Sequence, residues 1–202
     1  MRISFPLCVL LLAFSTLSAL GQSATVEQLQ LKAKAMKVNK EILIGYDKFG
    51  DKSIITTKPW VIDSGSVGVL AALAGGRMKI SGILMVSLTH EFAGKELSAT
   101  PETYLISFMS GGSDWQFLKG DRRAYIIYDD RRLVLDLAET KRNVSGDLVM
   151  ESLSYPLTKS EAKGIASAKV VEFRLGETTA YVMKPEIRQR FRKMLDLLDS
   201  AK

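Results

Sequence analysis

The stretch "SGGSDWQFLKGDRRAYIIYDDRRLVLD", Ser110 to Asp136, decides the fold. Two apolar runs, "AYIIY" and "RRLVL", stand either side of Asp129 and Asp130. Short acidic side chains hydrogen-bond nearby backbone and tolerate positive φ, so this pair, with Arg131, marks a tight turn between strands. In the second run Leu133, Leu135 and Leu137 alternate with Arg132, Val134 and Asp136, the period of a strand with one buried side. The stretch reads as the middle hairpin of a sheet, with Trp115 as an anchor ahead of it.

The same grammar extends in both directions. From Met78 to Leu137 the chain supplies strand after strand at the spacing of a β-meander, including "ETYLISFM", where Tyr104, Ile106 and Phe108 share a face. Upstream, "ILIGYDKFGDKSIITTKPWVID" reads as strand, turn and strand, broken by Gly45, Gly50 and Pro59. Between these regions "SGSVGVLAALAGGR", Ser64 to Arg77, is too short and glycine-rich to span a membrane and reads as a linker, with one helical turn near Val69 to Leu73. Downstream, "LVMESLSY" predicts a strand ending at Pro156. Thr158 followed by Glu161 is a capping box that opens a helix over 158–168. "VVEFRLG" and "TTAYVMK" form a second hairpin turning at Gly176 and Glu177.

Two further helices bracket the sheet. Val26, Leu29, Ala33 and Met36 recur at helical spacing behind Thr25 as a cap. At the other end Pro185 suits a first helical turn, and Ile187, Phe191, Met194, Leu195 and Leu198 line one face over 186–199. Arg188, Arg192 and Lys193 lie on that helix too, and its apolar stripe predicts docking on the sheet. The fold class is α+β: an antiparallel β-sandwich or curved sheet with a short helix and a docked C-terminal helix. The expected division is a signal peptide over 1–21, an N-terminal helical segment over 22–40 and a single β-rich domain over 41–202.

The signal reading rests on Arg2, the apolar run "FPLCVLLLAF" and the small residues after it. Ala19 and Gly21 suit cleavage before Gln22, and a cut after Ser23 is the neighbouring option. The apolar core of roughly 15 residues is below the roughly 18 to 20 that a bilayer span needs. Cys8 lacks the small residue that lipoprotein cleavage requires before it. It is also the only cysteine, which excludes disulfides and thiolate metal sites from the mature chain. A chain of 202 residues with 47% hydrophobic residues can hold together by burial alone, which suits a bacterial envelope or periplasm. The formal charge of +6 falls to +5 when Arg2 leaves, with 27 of 28 basic residues remaining against 22 acidic ones. This modest, scattered excess describes a solvated surface and not a nucleic-acid partner.

Catalytic constellations are largely missing. His90 is the lone histidine, so neither a zinc signature nor an ordinary serine triad has its parts to spare. Ser160 to Lys163 reads S-x-x-K, but it lies inside the capping box and no K-T-G strand accompanies it. Gly65 to Gly68 is not a nucleophile elbow. Asp47, Asp51, Asp63, Asp114, Asp121, Asp129 and Asp130 lack the ligand spacing of a calcium loop. Asn143 to Ser145 is a glycosylation sequon, with meaning only in a eukaryotic secretory route.

The ligand-binding candidates are therefore aromatic and basic: Trp115, Tyr125, Tyr128, Arg122 and Arg131. Trp60 and Tyr104 are further aromatic positions, and Arg123 and Arg132 complete a basic hairpin edge. Strand aromatics are most often core, and edge charges commonly protect a sheet from mispairing. No catalytic residue, metal ligand or cofactor is expected.

Three segments, Tyr46 to Lys58, Ser113 to Asp136 and Glu151 to Met183, resemble a β-rich domain of exported bacterial proteins. Its elements are an Asp-x-Phe stretch before a Thr-rich strand, a Trp before an acidic hairpin and "IA-x-A-K-x-VEFR-x-G" before the last strand and helix. Here the family's Asp-Gly turn is Asp129-Asp130, and "GVLAALAGG" is an insertion. The resemblance implies a single β-rich domain with a packed helix and brings no established activity or catalytic residue. The functional expectation is an exported, non-catalytic binding or structural module of the cell envelope, whose partner is an envelope protein or small ligand. The alternatives are a carrier of a small hydrophobic ligand and a carboxylate-dependent hydrolase.

Overall fold

The computed structural model describes residues 23–63, 83–97, 101–112, 115, 121–146, 148–178 and 180–201. The signal segment, the linker with its helical turn, and residues 116–120 between Trp115 and the middle hairpin lie outside these residues. In chain order the elements are β1 (Ala24–Thr25), α1 (Val26–Ala35), β2 (Ile42–Asp47), β3 (Lys52–Thr57), β4 (Trp60–Asp63), β5 (Ile83–Ala93), β6 (Glu96–Leu97) and β7 (Thr103–Gly112). There follow β8 (Ala124–Tyr128), β9 (Arg131–Leu135), β10 (Glu139–Ser145), β11 (Leu148–Thr158), α2 (Lys159–Ser167), β12 (Val171–Leu175), β13 (Tyr181–Val182) and α3 (Pro185–Asp199). The fold is α+β, dominated by antiparallel strands, with a curled half-barrel sheet.

The large sheet runs β10-β11-β7-β5-β3-β2, and β4 pairs with β5 beyond the end of β3. A smaller sheet runs β13-β12-β8-β9, and β1 pairs with β6. This departs from a simple meander: β7 hands on to β11, while β8 and β9 sit in the other sheet. Alternation fixes which face a residue occupies but not which strand lies beside it. Here β7 and β11 pair over their full ten-residue overlap, Thr103 with Thr158 to Gly112 with Val149. The five-residue β8 matches β9 and β12 instead.

The strand expected to end at Pro156 runs on to Thr158. Ala138 N–H donates to the Ser154 carbonyl on the β10 side, and residue 156 faces the same side, past the last β10 pair. Its missing N–H therefore deletes no ladder bond.

Each helix starts as its sequence dictates. Thr25 caps α1 and Thr158 caps α2, each in a two-way box with the residue three on, Gln28 or Glu161. Met36 falls at the C-cap of α1, 37% exposed, outside the buried stripe of Val26, Leu29 and Ala33. The second hairpin turns at Gly176, whose φ is +55° and whose Cβ, if present, would lie 1.9 Å from the Asp121 carbonyl oxygen. Only glycine fits there.

The inner face of the large sheet carries Leu84, Val86 and Leu88, then Tyr104, Ile106 and Phe108, then Leu153, Tyr155 and Leu157, all buried. Leu29 of α1, Ile165 of α2, and Phe191, Met194 and Leu195 of α3 close over them in one continuous core. Phe108 meets Phe173 of the smaller sheet at 4.7 Å between ring centroids. The basic side chains of α3 are spent on docking. Arg188 donates to the carbonyls of Ala168 and Lys169, Arg192 donates to that of Ala166, and Lys193 pairs with Glu41 at 2.7 Å. These arginines satisfy carbonyls left open at the end of α2.

Candidate functional site

The outer face of the large sheet holds a groove of about 430 Å³ at its β10 end. Cross-strand register builds it. Met85 lies opposite Met109, Ile83 opposite Gly111, and Gly111 opposite Met150, so alternation brings all five to the face away from the core. Leu148 extends the apolar wall, and Lys141, Arg142 and Asn143 of β10 form the rim. Gly111 opens the floor, since a Cβ there would find no heavy atom within 4 Å. Thioether side chains adapt to varied apolar shapes, so three methionines around an open floor make a compliant surface. The volume lies within the roughly 300 to 1,000 Å³ of small-molecule sites.

At the rim Lys141 pairs with Glu139 at 3.1 Å. Arg142 Nε lies 3.6 Å from Oε1 of Glu151, whose residue is 2% exposed. The Arg142 guanidinium also lies 5.7 Å from the centroid of the Trp115 ring. Arg142 and Glu151 stand opposite Ser110 and Leu84 in the register, so this pair and Trp115 sit at the sheet's β10 end on the side of the core, across the sheet from the methionines.

The other candidates lie elsewhere. Tyr125 stands on the outer face of the small sheet, with the guanidinium groups of Arg174, Arg123 and Arg132 at 4.7, 5.6 and 5.8 Å from its ring centroid. Its hydroxyl donates to Asp121 at 2.6 Å. Hydrogen bonds from Arg123 and Tyr125 hold the Asp121 carboxyl well below the usual carboxylate range, and the same bond to Asp121 raises the Tyr125 phenol. Tyr128 is buried, with its ring against Gly164 of α2. The Arg122 carbonyl accepts from the Tyr155 hydroxyl at 2.6 Å, and Arg131 is exposed at the start of β9. Trp60 lies under the Arg190 guanidinium at 3.9 Å. None of the five ligand-binding candidates lines the groove; Trp115 meets the Arg142 guanidinium, and the other four lie further away in the fold.

The remaining motifs have structural uses. Asp129 adopts φ +48° in the expected turn, and its carboxylate accepts from Lys169 N–H at 3.0 Å. Lys163 of the S-x-x-K motif pairs with Asp199 at 2.5 Å, and Lys159 pairs with the same carboxylate at 2.8 Å. His90 Nδ1 lies 3.0 Å from the Thr103 carbonyl oxygen, to which it donates, and its ring packs near Phe92 and Tyr104. Burial pushes the imidazole pKa down, keeping it neutral. Among the described residues, no group of three or more His, Cys, Asp or Glu is placed to hold a metal ion.

Sequence reading missed Met85, Met109 and Met150. Their signal was faint: each falls at the position alternate to the core residues of its own strand. Only the pairing of β5, β7 and β11 makes them one surface. No family model matches the chain, and no curated protein or solved structure matches it either. The groove must therefore be judged on its chemistry.

Proposed function

We propose that this chain is a non-catalytic binding module that takes a small apolar or amphiphilic molecule into the methionine groove. The observation that carries this reading is the wall of Ile83, Met85, Met109, Leu148 and Met150 around the open floor at Gly111. Apolar surface of that kind gains from desolvation whatever the detailed shape of its guest. Glu151 is the one carboxylate lining the groove among the described residues, and it sits beside Arg142, which does not favour paired-carboxylate hydrolysis. A filled inner core favours a guest on the outer face over one enclosed by the sheet. Work in the bacterial cell envelope is supported by the signal-like residues at the start of the sequence.

Titration with a dansylated fatty acid tests the groove directly. Saturable fluorescence enhancement is expected from the wild-type protein. Gly111→Leu places a side chain in open space on an extended strand, so it is expected to weaken the probe at least about tenfold while leaving the thermal melt intact. Equal titration by wild type and variant would remove the groove from consideration. Native mass spectrometry on protein purified gently from the envelope then identifies any natural guest by the mass lost on unfolding.

A further inference from the structure

The hairpin joining β2 to β3 presents Phe49 at its tip, 91% exposed, on a turn braced from several directions. Asp47 Oδ1 accepts the Phe49 N–H at 3.0 Å. Asp51, in the left-handed region at φ +45°, accepts the Tyr46 hydroxyl at 2.8 Å on its carboxylate and the Gly94 N–H at 2.8 Å on its carbonyl. The Ser53 hydroxyl donates to the Gly94 carbonyl at 2.6 Å, so this turn and the β5–β6 turn are fastened side by side. A lone exposed apolar residue is ordinary on a protein surface. A phenylalanine held outward by a fixed turn, at the extremity of a long sheet, has a defined direction as well as exposure.

Two lysines complete the tip. Lys48 Nζ lies 4.9 Å from the Phe49 ring centroid, and Lys95 Nζ lies 4.9 Å from that of Tyr46. Neither ammonium is within salt-bridge distance of a described carboxylate, Lys95 lying only in the longer-range field of Glu27, while the two aspartates are hydrogen-bonded into the turn. We infer that this tip docks on an anionic lipid bilayer, with Phe49 entering the interface, Tyr46 at the headgroup level and Lys48 and Lys95 against lipid phosphates. Aromatic rings with flexible cations are what the interface accepts, because the ring desolvates while the ammonium stays among the headgroups. A protein partner fits less well. Stable protein interfaces bury roughly 800 Å² on each side, whereas this tip is one projecting side chain in polar surroundings.

The tip is independent of the groove. Met85 and Ala93 lie at opposite ends of β5, about 26 Å apart at strand rise, so each surface can be removed without the other. The test is co-sedimentation of the purified protein with phosphatidylcholine vesicles, with and without phosphatidylglycerol. Wild type is expected to sediment with the anionic vesicles. Phe49→Ser is expected to weaken that affinity about tenfold. Lys48→Gln and Lys95→Gln are each expected to cost about fivefold on anionic vesicles and nothing on neutral ones. All three variants alter exposed side chains outside the core, and matching thermal melts check that the fold is kept. Wild-type protein that stays in the supernatant, or a Phe49→Ser variant that sediments as wild type does, overturns the inference. So does a photo-crosslinking residue at position 49 that captures a protein and not lipid in the native envelope.

Discussion

The two faces of the large sheet are built from the same strands and have opposite characters. Inward positions on β5, β7 and β11 carry branched and aromatic side chains that the three helices and the smaller sheet close over. Outward positions on those strands carry Met85, Ser87 and Thr89, then Ser107, Met109 and Gly111, then Met150, Ser152 and Ser154. Part of this outer face is tied by hydroxyl pairs, Ser107 to Ser154 at 2.8 Å and Thr56 to Thr89 at 2.8 Å. The rest opens into the methionine groove. One face thus builds the core, and the other divides between hydroxyl pairs that tie strands together and an open apolar groove.

The largest expected effect comes from neighbouring residues on opposite faces. Phe108→Ala should cost about 3–5 kcal/mol in urea unfolding, because it empties the junction between the sheets. Met109→Ala, one residue on, should cost less than about 1 kcal/mol and instead weaken the dansyl probe. Similar losses at both positions would break the contrast between the faces.

A smaller effect separates the faces by pH. His90 points to the inner side beside Phe92 and Tyr104, and burial lowers its folded pKa below the unfolded value of about 6.5. Its contribution to stability is therefore present above pH 6.5 and lost as pH falls through the folded pKa. Because the chain has one histidine, His90→Gln should flatten the decline in melting temperature between neutral and mildly acidic pH. An unchanged slope would mean that this ring is hydrated in solution.

The smallest effect is on the outer hydroxyls. Ser107→Ala should cost about 0.5–1.5 kcal/mol by leaving Ser154 without its partner, whereas Ser107→Ala with Ser154→Ala together should be nearly neutral. Additive losses would show that each hydroxyl works alone.

Much of this organisation was legible in the sequence because it is local. The boxes at Thr158 and Glu161, the turn at Asp129 and the triplet Tyr104, Ile106 and Phe108 need only their neighbours. The groove was not legible, because Met109 and Met150 meet across strands distant in the chain, and no local rule fixes that register. Pro156 misled for the same reason: whether a proline ends a strand depends on which neighbour its nitrogen faces. Tyr125 and Tyr128 share a strand and an aromatic character, yet their spacing of three residues places them on opposite faces, and only one reaches solvent.

The contacts of α3 also govern when the fold can close. Its side chains fill the core and satisfy the end of α2, and Lys193 reaches back to Glu41, 152 residues earlier. The core cannot be completed before residues 185–199 have left the ribosome. Until then the chain remains without the helix that covers its sheet, and closure of the core waits on an element that follows every strand in chain order.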